Sequence, residues 1–140
     1  MTLKTITKII NIYPPYLGSG ISVKSVNEDF TKIITQLKLR WYNKNAVGTH
    51  YGGSLYSMCD PFYMFILMEN LGNDYIVWDK AASINFVKAE KKTVTATFEI
   101  SKEKIAEIKT FVDTNGKGNF TFNTTINNEN GDVIAEVEKV

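Results

Sequence analysis

From Ser54 to Leu71 the chain is apolar almost all round. A helix lying on the outside of a core carries a polar stripe, and this stretch has none, so the rest of the chain is expected to enclose it. Gly52-Gly53 opens it and Gly72-Asn73 stops it. It contains Asp60 and Pro61 and falls short of the roughly 20 apolar residues that a membrane span requires. No membrane partner is expected.

What encloses the helix is read from the flanking segments. Leu3, Ile6, Ile9, Ile10 and Tyr13 recur at helical spacing, so an amphipathic first helix is predicted. Pro14-Pro15 is expected to end it, with a flexible turn at Gly18-Ser19-Gly20. Ile33, Thr35, Leu37, Leu39 and Trp41 alternate with polar residues, which predicts a long strand with Ile21 to Val26 as its hairpin partner. Beyond the enclosed helix, Tyr75 to Lys88 and Thr93 to Ile100 read as strands. Ser101 is a suitable N-cap for a short helix carrying Ile105, Ile108 and Val112. Phe120 to Ile126 and Val133 to Val137 form a last hairpin about Asn130-Gly131. The expected architecture is α+β, a strongly curved antiparallel sheet around a long central helix, with residues 1–140 forming one domain. That is the hotdog fold.

Composition excludes several functions. Sixteen Lys and Arg against fifteen Asp and Glu give a net charge of +1, a poor basis for binding nucleic acid through phosphate neutralisation. One cysteine, Cys59, and one histidine, His50, exclude a disulfide within the chain and a Cys/His metal site. The N-terminus lacks the continuous apolar core of a signal peptide, so a cytoplasmic location is expected.

Residues 45–60, Asn-Ala-Val-Gly-Thr-His-Tyr-Gly-Gly-Ser-Leu-Tyr-Ser-Met-Cys-Asp, carry the chemistry. Gly52-Gly53 lets a ligand approach the backbone. The first amides of the helix lack intrahelical partners and form its positive end. Aimed at a thioester carbonyl, one of them would stabilise the oxyanion that water attack creates. Asp60, among largely apolar neighbours, would serve as general base or nucleophile. Seven residues make about two helical turns, roughly 10 Å of rise, so one carbonyl cannot touch both Gly53 and Asp60 of the same chain. Two antiparallel helices across a two-fold axis would bring Asp60 of one chain to the partner's Gly53.

This segment resembles the signature of PaaI-like hotdog acyl-CoA thioesterases, with Asn45, Gly48, Thr49, Gly52, Gly53 and Asp60 at matching positions. The resemblance implies hydrolysis of an acyl-CoA or acyl-carrier thioester at a site shared between subunits of a homodimer or tetramer. It implies no cofactor, coenzyme A entering only as part of the substrate. Asp60 would be the catalytic acid–base group, and the Gly53 amide would polarise the carbonyl with Asn45 or Tyr51 assisting. Gly52, His50, Tyr63, Trp78 and Lys88 would contact substrate, Lys88 through the nucleotide phosphates.

Two positions depart from that family. Tyr51 stands where its members commonly have His, with His50 one residue earlier, and Pro61 directly follows Asp60. The pattern is closer to the less characterised branch of hotdog thioesterases. It leaves open a second function, a non-catalytic hotdog that binds a fatty acyl chain. For Cys59, and for Trp41 and Trp78, the favoured expectation is ordinary core packing, and His50 is read as a surface or loop residue. Tyr63, Met64, Phe65 and Met68 would line an acyl channel or simply fill the core.

Overall fold

The computed structural model describes the backbone from Leu3 and the side chains from Thr5 to Val140, so the packing predicted for Leu3 lies outside the described residues. The chain starts with α1 (Leu3–Ile9), a 3-10 turn (Ile10–Ile12) and α2 (Pro14–Ser19). The expectation of a flexible turn after Pro14-Pro15 is corrected here. Both prolines sit in the first turn of α2, where a missing N–H leaves no bond unmade. Of the predicted apolar face Ile10 is buried, whereas Ile9 and Tyr13 are open to solvent.

β1 (Ile21–Val26) and β2 (Lys32–Leu37) form the expected hairpin. Asn27 closes it, its Oδ1 accepting from the amides of Thr31 and Lys32 at 2.9 and 3.0 Å. β2 stops short of the predicted Trp41. The Asn43 side chain accepts from the Arg40 amide and donates to the carbonyls of Ser19 and Lys38, folding the chain into a loop. Trp41 is 83% exposed there, not a core residue.

The remaining strands are β3 (Ala82–Phe86), β4 (Val94–Glu99), β5 (Phe122–Asn128) and β6 (Val133–Lys139). All pairings are antiparallel, in the order β1-β2-β4-β5-β6-β3. The strand expected from Tyr75 is shortened to five residues. Its partner β6 ends at Lys139, and pairing with that segment begins only where Lys80 and Ala81 close on the carbonyl of Val140. Trp78 is consequently 70% exposed, again contrary to a core role. Between β4 and β5 stands α5 (Lys102–Asn115), capped as predicted by Ser101, whose Oγ accepts from the Lys104 amide at 3.1 Å.

The two outer strands differ. β1 carries a bulge between Val23 and Ser25, and the Val23 amide donates to Asn11 Oδ1 at 2.7 Å. β3 has no partner on its outer side among the described residues.

The enclosed helix is two helices, α3 (Gly52–Ser57) and α4 (Phe62–Leu71). Pro61 cannot donate to Ser57, so the ladder tightens instead, with Cys59 N–H to Tyr56 O and Asp60 N–H to Ser57 O. The loosened carbonyls find other donors: Tyr16 Oη reaches Ser57 O at 2.9 Å and Thr35 Oγ1 reaches Met58 O at 3.0 Å. On the sheet side Phe62 stacks on Phe98 with centroids 5.3 Å apart, and Ile33, Leu37, Val94 and Ile126 complete a fully buried core.

Candidate active site

Asp60 lies in the break between α3 and α4, not on a helical face, and its side chain is 54% exposed. Its Oδ1 accepts from Lys139 Nζ at 3.2 Å and from Tyr56 Oη at 3.3 Å. The Lys139 side chain is only 1% exposed and also meets Asp79 at 3.4 Å and Tyr56 Oη at 3.1 Å. Burial opposes the ammonium form. The Tyr56 hydrogen bond and the charges of Asp79 and Asp60 outweigh it, holding the Lys139 pKa above the ordinary lysine value. Desolvation raises the Asp79 carboxyl, with Lys139 pulling the other way. Lys139, Asp79 and Tyr56 are not among the residues that the sequence predicts for the site.

The Gly-Gly pair is shaped by two rings. A Cβ on Gly52 would stand 3.1 Å from the ring of Phe86 in β3, and one on Gly53 would stand 2.5 Å from the ring of Tyr51. The amides of Ser54 and Leu55 both turn back to Tyr51 O, which leaves those of Gly52 and Gly53 without an acceptor among the described residues. Tyr51 itself is 59% exposed.

Asn45 and His50 are bound up in scaffolding. Asn45 Oδ1 accepts from the amides of Val47 and Thr49, and its Nδ2 donates to Thr49 Oγ1 and His50 O. His50 is in a loop, as expected, but it is buried. Its Nε2 lies 2.7 Å from Lys92 O and its amide donates to Glu90 O. Glu90 in turn takes hydrogen bonds from Asn128 Nδ2 and from the amides of Lys91 and Lys92, which hold its carboxyl down at about 2.

Other predicted contacts separate. Tyr63 is buried, donates to Asn123 O at 3.0 Å and stacks on Phe122. Trp78 lies near the Asp79–Lys139 pair, and Lys88 is engaged with Asp132 at 3.3 Å, in the open. Cys59 is fully buried, and desolvation pushes its thiol up to about 12, so it is inert packing as expected. No group of His, Cys, Asp and Glu suited to a metal ion occurs among the described residues, nor is any helix there long and apolar enough to cross a membrane.

The model of the family described as a domain of unknown function, DUF4442, matches residues 4–140. The chain belongs to that family. No curated protein matches this DUF4442 chain. Among solved structures it is similar to PA5026 from Pseudomonas aeruginosa, called a probable thioesterase. That likeness has a TM-score of 0.82 at 16% identity, over 99% of this chain and 93% of the other. It is also similar to the thioesterase HI1161 from Haemophilus influenzae, with a TM-score of 0.70, 13% identity, and coverage of 99% and 87%. A third is a mutant of the phenylacetic acid degradation protein PaaI from Thermus thermophilus, with a TM-score of 0.61, 14% identity, and coverage of 90% and 95%. With the sheet order and the helix it surrounds, these likenesses give the fold of the DUF4442 chain: it is a hotdog.

Proposed function

We propose that this DUF4442 chain is a thioester hydrolase acting on an acyl-CoA or acyl-carrier substrate as a homodimer, with coenzyme A present only as part of the substrate. The observation that carries the reading is where the two halves of the site lie along β3. Lys139, which holds Asp60, pairs with Ala82 at one end of the strand; Gly52 packs on Phe86 at the other. If two β3 strands pair antiparallel across a two-fold axis, the Ala82 end of one faces the Phe86 end of its partner. Asp60 then approaches the partner's Gly53.

In that arrangement Asp60 takes a proton from water while the water oxygen bonds to the thioester carbon. The carbonyl oxygen gains negative charge beside the unpaired amide of the partner's Gly53. Collapse breaks the C–S bond, and the departing thiolate takes the proton that Asp60 holds. Tyr56 and Lys139 fix the carboxylate, and Tyr51, once its ring moves, donates to the carbonyl.

Asp60→Asn keeps the shape and loses the base, so acyl-CoA hydrolysis is expected to fall by about 10²-fold or more. Equal rates in both proteins would remove Asp60 from the mechanism. A second reading, a non-catalytic acyl binder, is favoured by one feature: the Tyr51 ring covers Gly53. It predicts binding without turnover in either protein.

A further inference from the structure

A cavity of about 1370 Å³ lies between α4, α5, residues 74–80 and the ends of β5 and β6. It exceeds the roughly 300–1,000 Å³ of ordinary small-molecule sites. Tyr63, Leu67 and Leu71 of α4 form one wall, Ile108 and Val112 of α5 another. From Tyr63 to Leu71 the helix rises about 12 Å, and the lining runs about 8 Å along α5, from Ile108 to Asp113. A space that long with apolar walls suits an extended chain better than a compact ring.

The walls are set rather than loose. Phe111 and Phe120 meet edge to face at 5.6 Å, closing over Gly118, where a Cβ would stand 2.9 Å from one ring and 3.0 Å from the other. The Tyr75 hydroxyl donates to Asp113 of α5, tying residues 74–80 across to that helix. The Tyr63 end of α4 follows directly on Asp60. Lys139 and Asp79 belong to the wall, so the cavity and the Asp60 carboxylate are one ion pair apart.

Charge chooses the head group. Lys139 Nζ already donates to Tyr56, Asp60 and Asp79, so it offers no proton to an anion. With its donors spent on Tyr56, Asp60 and Asp79, Lys139 favours a neutral thioester over a free carboxylate, and the other cation at this end, Lys80, is exposed to water, which screens it.

We infer that the cavity receives the long unbranched alkyl chain of an acyl thioester, with the carbonyl end towards Asp60 and the tail along α4 towards Leu71. The placement of the carbonyl rests on the hydrolase reading; the binding of the chain does not.

The test is titration calorimetry with non-hydrolysable S-alkyl thioethers of N-acetylcysteamine, hexadecyl against ethyl, on the intact protein. The wild type should bind the hexadecyl probe at least about tenfold tighter, and Val112→Trp, which narrows the cavity between α4 and α5, should lower that ratio severalfold. Leu71→Trp, at the far end and only partly buried, carries the same prediction if Val112→Trp fails to fold. A wild type without chain-length preference, or a preference untouched by both variants, would overturn the inference. Hexadecanoate should bind more weakly than the hexadecyl thioether, and equal binding would overturn the assignment to a thioester. If the ratios behave but no acyl-CoA is hydrolysed, the hydrolase reading fails and the cavity assignment stands. If hydrolysis occurs with a chain-length profile indifferent to both variants, the cavity assignment fails alone.

Discussion

An ammonium group withdrawn from water loses several kcal/mol unless acceptors surround it, and Lys139 has three. Its removal would leave Asp60 and Asp79 facing each other without a cation. Both remain partly open to water, at 54% and 28%, so they can rehydrate. Lys139→Met is therefore expected to destabilise the protein by about 1–3 kcal/mol, below the roughly 3–5 kcal/mol seen when a fully buried pair is broken. Urea unfolding checks this; an unchanged midpoint would mean that the pair contributes nothing. The sequence does hold a signal for Lys139. Ala135 and Val137 point inward while Glu136 and Glu138 point out, so strand alternation alone puts residue 139 on the inner face. For Trp41 and Trp78 the reverse holds. Their size suggests a core, but Asn43, tied to Lys38, Arg40 and the distant Ser19, and the end of β6 leave both on loops; the contacts to Ser19 and β6 have no local sequence signature.

Where elements meet, the hairpin β1–β2, the Ser101 cap and the last hairpin follow from turn and capping chemistry that is local, and so are legible. The broken central helix is half legible. Pro61 announces a bend, but the capture of the freed carbonyls by Tyr16 and Thr35 depends on segments distant in sequence. The same is true of the clamp that positions Gly52. It runs from His50 to the Glu90–Lys92 loop and on to Asn128, and no motif marks it. Its pH dependence has a definite sign. Chiefly through the Asn128 hydrogen bond and the Lys92 amide, the Glu90 carboxyl lies at about 2 against an ordinary 4.5. A depressed carboxyl stabilises the fold above its unfolded value, and that stability fades as pH falls from 4.5 towards 2. Glu90→Gln should therefore lose less stability than the wild type on acidification through that window. Denaturant midpoints above and within it provide the comparison, and parallel declines would show that Glu90 does not contribute.

For the molecule as a whole, the outward groups of β3 can be assigned. Ala81 and Val140 exchange both main-chain hydrogen bonds, so the amides of Ala82, Ile84 and Phe86 point away from β6. Ala82→Pro removes one outward donor without touching the ladder to β6. It should convert a wild-type dimer to monomer in sedimentation, with unchanged circular dichroism and loss of hydrolysis. An active wild-type monomer would refute the shared site. The opposite side of the sheet behaves differently, because Asn11 occupies the Val23 amide and a bulge kinks the strand beside it. In the proposed dimer, self-recognition through the backbone has a valence of one. Pairing along β3 would consume it, and growth into a fibre would meet only the kinked, part-occupied rim of β1.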